Sequence, residues 1–80
     1  MKVLYFASLK ERLKTGEEEV TLERPLTVRE FVAAHVAPRV AGTTSAHFLY
    51  AVNEVMVNAE FTLTDGDTLA VLPPLSGGAA

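Results

Sequence analysis

The stretch Leu26-Thr27-Val28-Arg29-Glu30-Phe31-Val32-Ala33-Ala34-His35-Val36 decides how the rest of this sequence is read. Thr27 and Glu30 have the spacing of a capping box, in which each side chain accepts a hydrogen bond from the other residue's backbone N–H. Leu26 and Phe31 flank that cap at the spacing of a hydrophobic staple. Val28, Phe31, Val32, His35 and Val36 then recur at i, i+3, i+4, i+7 and i+8, which puts them on one side of an α-helix. Pro38 is expected to stop the helix soon after Val36, because it clashes with the turn before it. The reading is one amphipathic helix with a single face to bury.

On the N-terminal side, Lys2 to Ala7 is rich in β-formers and reads as a strand. Ser8 to Lys14 is expected to make a short helical turn with Ser8 as N-cap and Glu11 three residues on. Gly16 ends that turn, and Glu17 to Leu22 reads as a second strand. The connection is too short for a parallel crossover, so the two strands are predicted to pair antiparallel.

On the C-terminal side, Ala37 to Ala46 reads as a loop and Phe48 to Asn53 as a strand. Asn53-Glu54 is a tight turn into Val55 to Asn58. Thr64-Asp65-Gly66-Asp67 is another turn, in which Gly66 is free to take positive φ. Thr68 to Leu72 is the last strand. The order β-β-α-β-β-β with one long helix predicts an α+β fold of the β-grasp, or ubiquitin-like, type. A mixed sheet of four to five strands carries the helix on one face, and the last strand lies beside the first. The domain is expected to span residues 1–72, with 73–80 a flexible tail.

With 80 residues the chain holds one small domain, and 49% hydrophobic residues suffice for its core. There is no cysteine, which removes disulfides, thiolate metal sites and cysteine nucleophiles together. Seven basic against ten acidic residues give a net charge of −3, which disfavours a nucleic-acid partner. No apolar run approaches the roughly 18 residues of a membrane span. With no signal-peptide layout at its start, the chain is expected to be cytoplasmic.

Catalytic constellations are missing. His35 and His47 lack matching ligands, and the Glu17-Glu18-Glu19 run reads as a solvated edge that resists aggregation. Asp65-Gly66-Asp67 is too short for a calcium loop, and Gly42-Thr43-Thr44 lacks the lysine of a phosphate-binding loop. No metal or cofactor is expected, and the chain reads as non-catalytic on its own.

Strand alternation points instead to a binding face. Lys2 prefers water, so Leu4 and Phe6 should lie on the sheet face that the helix leaves open. Leu69 and Val71 should turn inward, and Ala70 and Leu72 outward. Leu4, Phe6 and Leu72 then form an apolar patch beside the tail. That tail, Pro73-Pro74-Leu75-Ser76-Gly77-Gly78, is stiff and extended at its prolines and free of side chains at its glycines.

These stretches resemble a known family. Lys2-Val-Leu-Tyr-Phe-Ala-Ser-Leu-Lys-Glu, Leu26-Thr-Val-Arg-Glu-Phe, Ala51-Val-Asn-Glu and Leu63-Thr-Asp-Gly-Asp-Thr-Leu-Ala-Val-Leu-Pro-Pro-Leu-Ser-Gly-Gly are similar to the small subunits of molybdopterin synthase. These are ubiquitin-like sulfur carriers related to the carrier of thiamin thiazole synthesis. The resemblance covers Met1 to Gly78. It implies that an ATP-dependent, E1-like enzyme adenylylates the Gly78 carboxylate and that a sulfurtransferase supplies sulfur to make the thiocarboxylate. The large synthase subunit then receives the tail, and the sulfur passes to a cyclic pyranopterin.

On that resemblance Gly78 bears the sulfur, Gly77 is its permissive neighbour, and Phe6, Leu72 and Leu75 dock on the partners with Lys10 at the rim. Ala79 and Ala80 depart from the family's Gly-Gly ending, which implies a precursor that must lose them, an inactive form, or a carrier that has lost its role. The alternatives are a carrier for thiamin thiazole or tRNA thiolation, a plain β-grasp interaction module, and a modifier conjugated through Gly78. The Ser8 to Gly16 insertion favours the molybdopterin branch.

Overall fold

The structure is a computed structural model that describes residues 1–40 and 47–73. Strand β1 (Lys2–Tyr5) leads into helix α1 (Ala7–Leu13) and returns as β2 (Glu17–Glu19). A two-residue strand β3 (Leu26–Thr27) opens helix α2 (Val28–Phe31), which widens to a π-helical segment (Val32–Val36) and closes in a 3₁₀ turn (Ala37–Arg39). After these come β4 (Leu49–Val52), β5 (Val55–Val57), β6 (Thr62–Leu63) and β7 (Thr68–Leu72). The main sheet has five strands in the order β2-β1-β7-β4-β5. Only β1 and β7 run parallel; the other neighbours are antiparallel. This is the mixed sheet and single covering helix of a β-grasp fold, with the last strand beside the first as the sequence predicts.

The capping box forms as read: Glu30 N–H donates to Thr27 Oγ1 at 3.1 Å and Thr27 N–H to Glu30 Oε1 at 2.9 Å. The next orphan donors of the helix are met from outside it, Val28 N–H by the Phe61 carbonyl and Arg29 N–H by that of Ala59. Val28, Phe31, Val32 and Val36 are buried against Val3, Tyr5, Leu69 and Val71 of the sheet. The π-helical segment ends at Val36, soon before Pro38 as expected, and the proline sits in the first turn of the closing 3₁₀ segment, where its missing N–H leaves no bond unmade.

Several boundaries differ from the sequence reading, each for a local reason. Strand β1 stops at Tyr5 because Ala7 adopts a left-handed φ of 51° and starts α1. Ser8 is therefore not the N-cap. Phe6 holds that position, and its carbonyl accepts from Leu9 N–H at 3.1 Å and Lys10 N–H at 3.4 Å. Strand β2 ends at Glu19, and the Leu22 N–H donates to Asp65 Oδ1 at 2.9 Å instead of to a ladder.

The pair β3–β6, a second small sheet, was not legible in runs of two residues. The Asn53-Glu54 turn takes φ of 52° and 72°, as a hairpin between twisted strands favours. Gly66, by contrast, does not use a positive φ, and a Cβ built on it meets nothing within 4 Å. The turn is held instead by Asp67, whose carboxylate accepts from Thr64 N–H at 2.9 Å.

Candidate functional site

The face of the sheet away from the helix is built by register. Leu4 lies beside Ala70, Ala70 beside Ala51, and Ala51 beside Met56, all in one row across four strands. One step toward the end of β7, Leu72 pairs with Leu49. Phe6, just past β1, is 43% exposed, and Leu49 and Met56 are exposed with it. Leu4, Ala70, Leu72 and Ala51 are half-buried. Leu69 and Val71 turn fully inward, as alternation requires.

The sequence-predicted docking residues therefore divide as follows. Phe6 and Leu72 occupy this open face. Lys10 lies in α1 beside Phe6, where the two line a shallow hollow with Gly16 and Glu17. A Cβ at Gly16 would lie 3.2 Å from Lys10 Cε, close enough to nudge that flexible side chain aside. Leu75, Gly77, Gly78, Ala79 and Ala80 lie outside the described residues. Leu49, Ala51 and Met56 belong to the same apolar face and were not singled out from sequence. The signal was available: Tyr50 and Val52 turn inward, so their neighbours Leu49 and Ala51 must turn outward.

The opposite face carries a polar cluster. Within the acidic run, Glu17 and Glu19 pair with Leu4 and Lys2 and share the open side, whereas Glu18 pairs with Val3 and turns toward the helix. There its Oε2 accepts from the Tyr5 hydroxyl and the Arg39 guanidinium, and lies 3.0 Å from His35 Nε2. Arg39 Nη2 also donates to the Tyr5 hydroxyl at 3.1 Å, and Arg39 Nε to the His35 carbonyl at 3.0 Å. His35 stacks on Phe31 with centroids 5.0 Å apart.

Burial is the largest influence on Glu18 and pushes its pKa up, but the hydrogen bonds from Tyr5, Arg39 and His35 outweigh it and hold the carboxyl below its ordinary range. Burial, reinforced by that carboxylate, pushes the Tyr5 hydroxyl well above its ordinary value. Glu18 Oε2, the Tyr5 hydroxyl, His35 Nε2 and Arg39 Nε and Nη2 are thus all engaged inside the fold. Among the described residues there is no grouping of three or more His, Asp or Glu able to hold a metal ion. No helix there is long and apolar enough to cross a membrane.

What the molecule presents is thus an apolar sheet face leading to the end of β7, after which the sequence runs Pro73-Pro74-Leu75-Ser76-Gly77-Gly78. The profile of the ThiS family matches residues 3–78. The chain belongs to the ThiS family. Among its relatives, the molybdopterin synthase sulfur carrier subunit of Escherichia coli (strain K12) is 35% identical over 80 residues, covering 98% of this chain and 99% of the relative. The solved structure described as molybdopterin converting factor, subunit 1, from Pyrococcus furiosus superposes with a TM-score of 0.71 at 28% identity. That match covers 92% of this chain and 95% of the other. SAMP1 of Haloferax volcanii gives a TM-score of 0.73 at 26% identity, with 98% of each chain covered. The ThiS-family match reaches Gly77 and Gly78 and stops before Ala79.

Proposed function

We propose that this protein is the sulfur-carrying small subunit of a molybdopterin synthase, cytoplasmic and without catalytic activity of its own. The observation that carries the reading is likeness to the Escherichia coli sulfur carrier subunit over nearly the full length of both chains. An apolar open face joined to a Gly77-Gly78 tail supports it. In this reading residues 1–72 are the handle and 73–80 the arm.

An ionised α-carboxylate is a poor electrophile at neutral pH, its pKa being about 3.5. An E1-like enzyme therefore adenylylates Gly78 with ATP, releasing pyrophosphate; a persulfide from the sulfurtransferase displaces AMP as an acyl disulfide, which a thiol reduces to the thiocarboxylate. Gly77 and Gly78, without Cβ atoms, let two different enzyme pockets close around that carbon. Phe6, Leu72 and Leu75 dock against the activating enzyme and then the large subunit, with Lys10 at the rim, and the sulfur ends in the cyclic pyranopterin.

An amide-bonded Gly78 has no carboxylate to activate, so Ala79 and Ala80 are removed first. The test is to incubate the 80-residue form and a form ending at Gly78 with the cognate activating enzyme, ATP and a sulfur donor. Intact mass should show one oxygen replaced by sulfur in the shorter form only. Equal conversion of both forms, or of neither, overturns the assignment. A second reading, a modifier joined to lysines through Gly78, is favoured by the likeness to a protein described as small archaeal modifier protein 1. A ladder of heavier conjugates in extracts of the source cells would select it.

A further inference from the structure

The two edges of the main sheet are built differently. At one edge, every residue of β2 is a glutamate, and charge of that kind discourages another strand from pairing there. At the other, β5 reads Val55-Met56-Val57, with neither a charge nor a proline to blunt it. Val55 and Met56 are also the most exposed large hydrophobic residues among those described, at 63% and 59%.

The backbone of this edge is open as well. Asn53-Glu54 is a two-residue hairpin loop, so Val52 and Val55 exchange hydrogen bonds, and so do Tyr50 and Val57. Asn53 accordingly turns its N–H the other way, to the Thr68 carbonyl at 2.9 Å. Met56 lies between the two bonded pairs, so its N–H and C=O point out from the sheet. Among the described residues neither group has a hydrogen-bond partner.

We propose that β5 pairs with β5 of a second copy of this chain, antiparallel across a two-fold axis at Met56, so that two sheets join edge to edge. The register is self-complementary, as a two-fold contact demands. Each Met56 N–H donates to the Met56 carbonyl of the other copy. On the helix side Val55 lies opposite Val57 of the second copy and covers a side chain already packed against the core. Beyond the ends of the strand Glu54 faces Asn58. Asn58 Oδ1 accepts from Glu60 N–H at 2.8 Å, and its amide NH₂ is left to donate to the Glu54 carboxylate of the other copy. Both side-chain pairs occur twice.

Other strands fit less well. An unrelated extended peptide satisfies the Met56 backbone but has no reason to match Val55, Val57, Glu54 and Asn58 together. The β2 edge of another copy would bring Glu17, Glu18 and Glu19 against an edge that ends in Glu54. Pairing over three residues buries less than the roughly 1,200 Å² of a standard interface, so the dimer is weak and reversible. The proposal is independent of the sulfur-carrier reading, because β4 separates β5 from β7 and the tail.

The experiment uses the full chain, with sedimentation equilibrium and amide hydrogen exchange followed by NMR over a dilution series up to millimolar protein. The apparent mass should rise toward the dimer with concentration. Exchange at the Met56 amide should slow with it at least tenfold, while the Val55 and Val57 amides, already bonded to β4, change little. Met56→Pro removes only the outward N–H and should leave a monomer, a position where an edge strand tolerates proline. Val55→Lys, which sets a charge against Val57, should do the same and stands in if Met56→Pro loses its native circular dichroism. Asn58→Asp keeps the oxygen that serves Glu60 but opposes a second carboxylate to Glu54, so it should weaken the dimer in a way that added salt relieves.

A chain that stays monomeric at millimolar concentration overturns the proposal. So does a dimer that survives in folded Val55→Lys, or one whose dilution shifts centre on Leu4, Phe6 and Leu72 or on β2. None of these results bears on sulfur transfer.

Discussion

Replacing Glu18 by glutamine isolates the effect of one carboxylate on which three elements converge. In the folded chain its oxygens accept from Tyr5 on β1 and from Arg39 in the 3₁₀ turn, and Oε2 lies beside His35 of the π-helical segment. The side chain is only 23% exposed, so solvent replaces little of what is lost. A hydrogen bond to a charged group contributes about 1.5–3 kcal/mol net. Glu18→Gln keeps one accepting oxygen but turns an NH₂ toward a site crowded with donors, so the expected loss is about 2 kcal/mol. For a domain of this size that corresponds to a drop of roughly 8–16 °C in melting temperature.

Glu17→Gln, one residue away on the exposed side, should change stability by less than about 0.5 kcal/mol. Urea denaturation of the two variants beside wild type measures the contrast. The pH dependence has a definite sign. A carboxyl whose pKa is lowered by folding stabilises the fold above its unfolded pKa, about 4.3 for glutamate, and loses that contribution as pH falls through the lower folded value. The gap between wild type and Glu18→Gln should therefore be full at pH 7 and close under acid conditions below pH ~4. Equal stabilities for Glu17→Gln and Glu18→Gln at pH 7 would refute the placement of Glu18 as a structural anchor.

Two further outcomes follow from the backbone. Thr27→Ala removes one half of the capping box at the start of α2 and should cost about 1 kcal/mol in urea denaturation; an unchanged midpoint would mean that the contacts of Val28 and Arg29 with the 59–61 segment hold the helix start unaided. Gly66→Ala should stabilise the protein by about 0.4–1 kcal/mol, because the turn does not need positive φ and the new methyl meets no neighbour. A lowered melting temperature for Gly66→Ala would show that the turn depends on glycine after all.

The sequence displayed the elements that have their own local chemistry. The capping box, the apolar positions of the helix and the Asn53-Glu54 turn are all written in adjacent residues, and they fold as read. Misreadings occurred where a distant residue decides the outcome. Leu22 leaves the ladder because Asp65, 43 residues away, takes its N–H. Strands β3 and β6 exist only through each other, and no run of two residues has a period to read. The acidic run looked uniformly solvated, yet alternation sends its middle member toward Tyr5 and Arg39. On the open face Phe6 and Leu72 were legible from parity, but the row Leu4–Ala70–Ala51–Met56 was not, because it depends on the register of four strands.

Where the perturbed groups lie bears on where chemistry can occur. Shifted titrations mark functional sites when they line a cleft, and structural ones when their partners are all internal. Here Tyr5, Glu18 and Arg39 answer one another on the helix side of the sheet. Asp67, lowered first by the Thr64 N–H and then by Asn53, and Asp65, lowered first by the Leu22 N–H and then by the terminal ammonium, sit in the turn before β7. The five residues of β7 separate that turn by roughly 16 Å from the root of the tail. None of these groups can reach a reaction at the far end. These shifted groups serve the architecture of the domain, and in the proposed reading the apolar open face is what remains for recognition. In the reading proposed above, the electrophile then comes from the backbone of residues 73–78, and the acid, base and nucleotide from the partner enzymes.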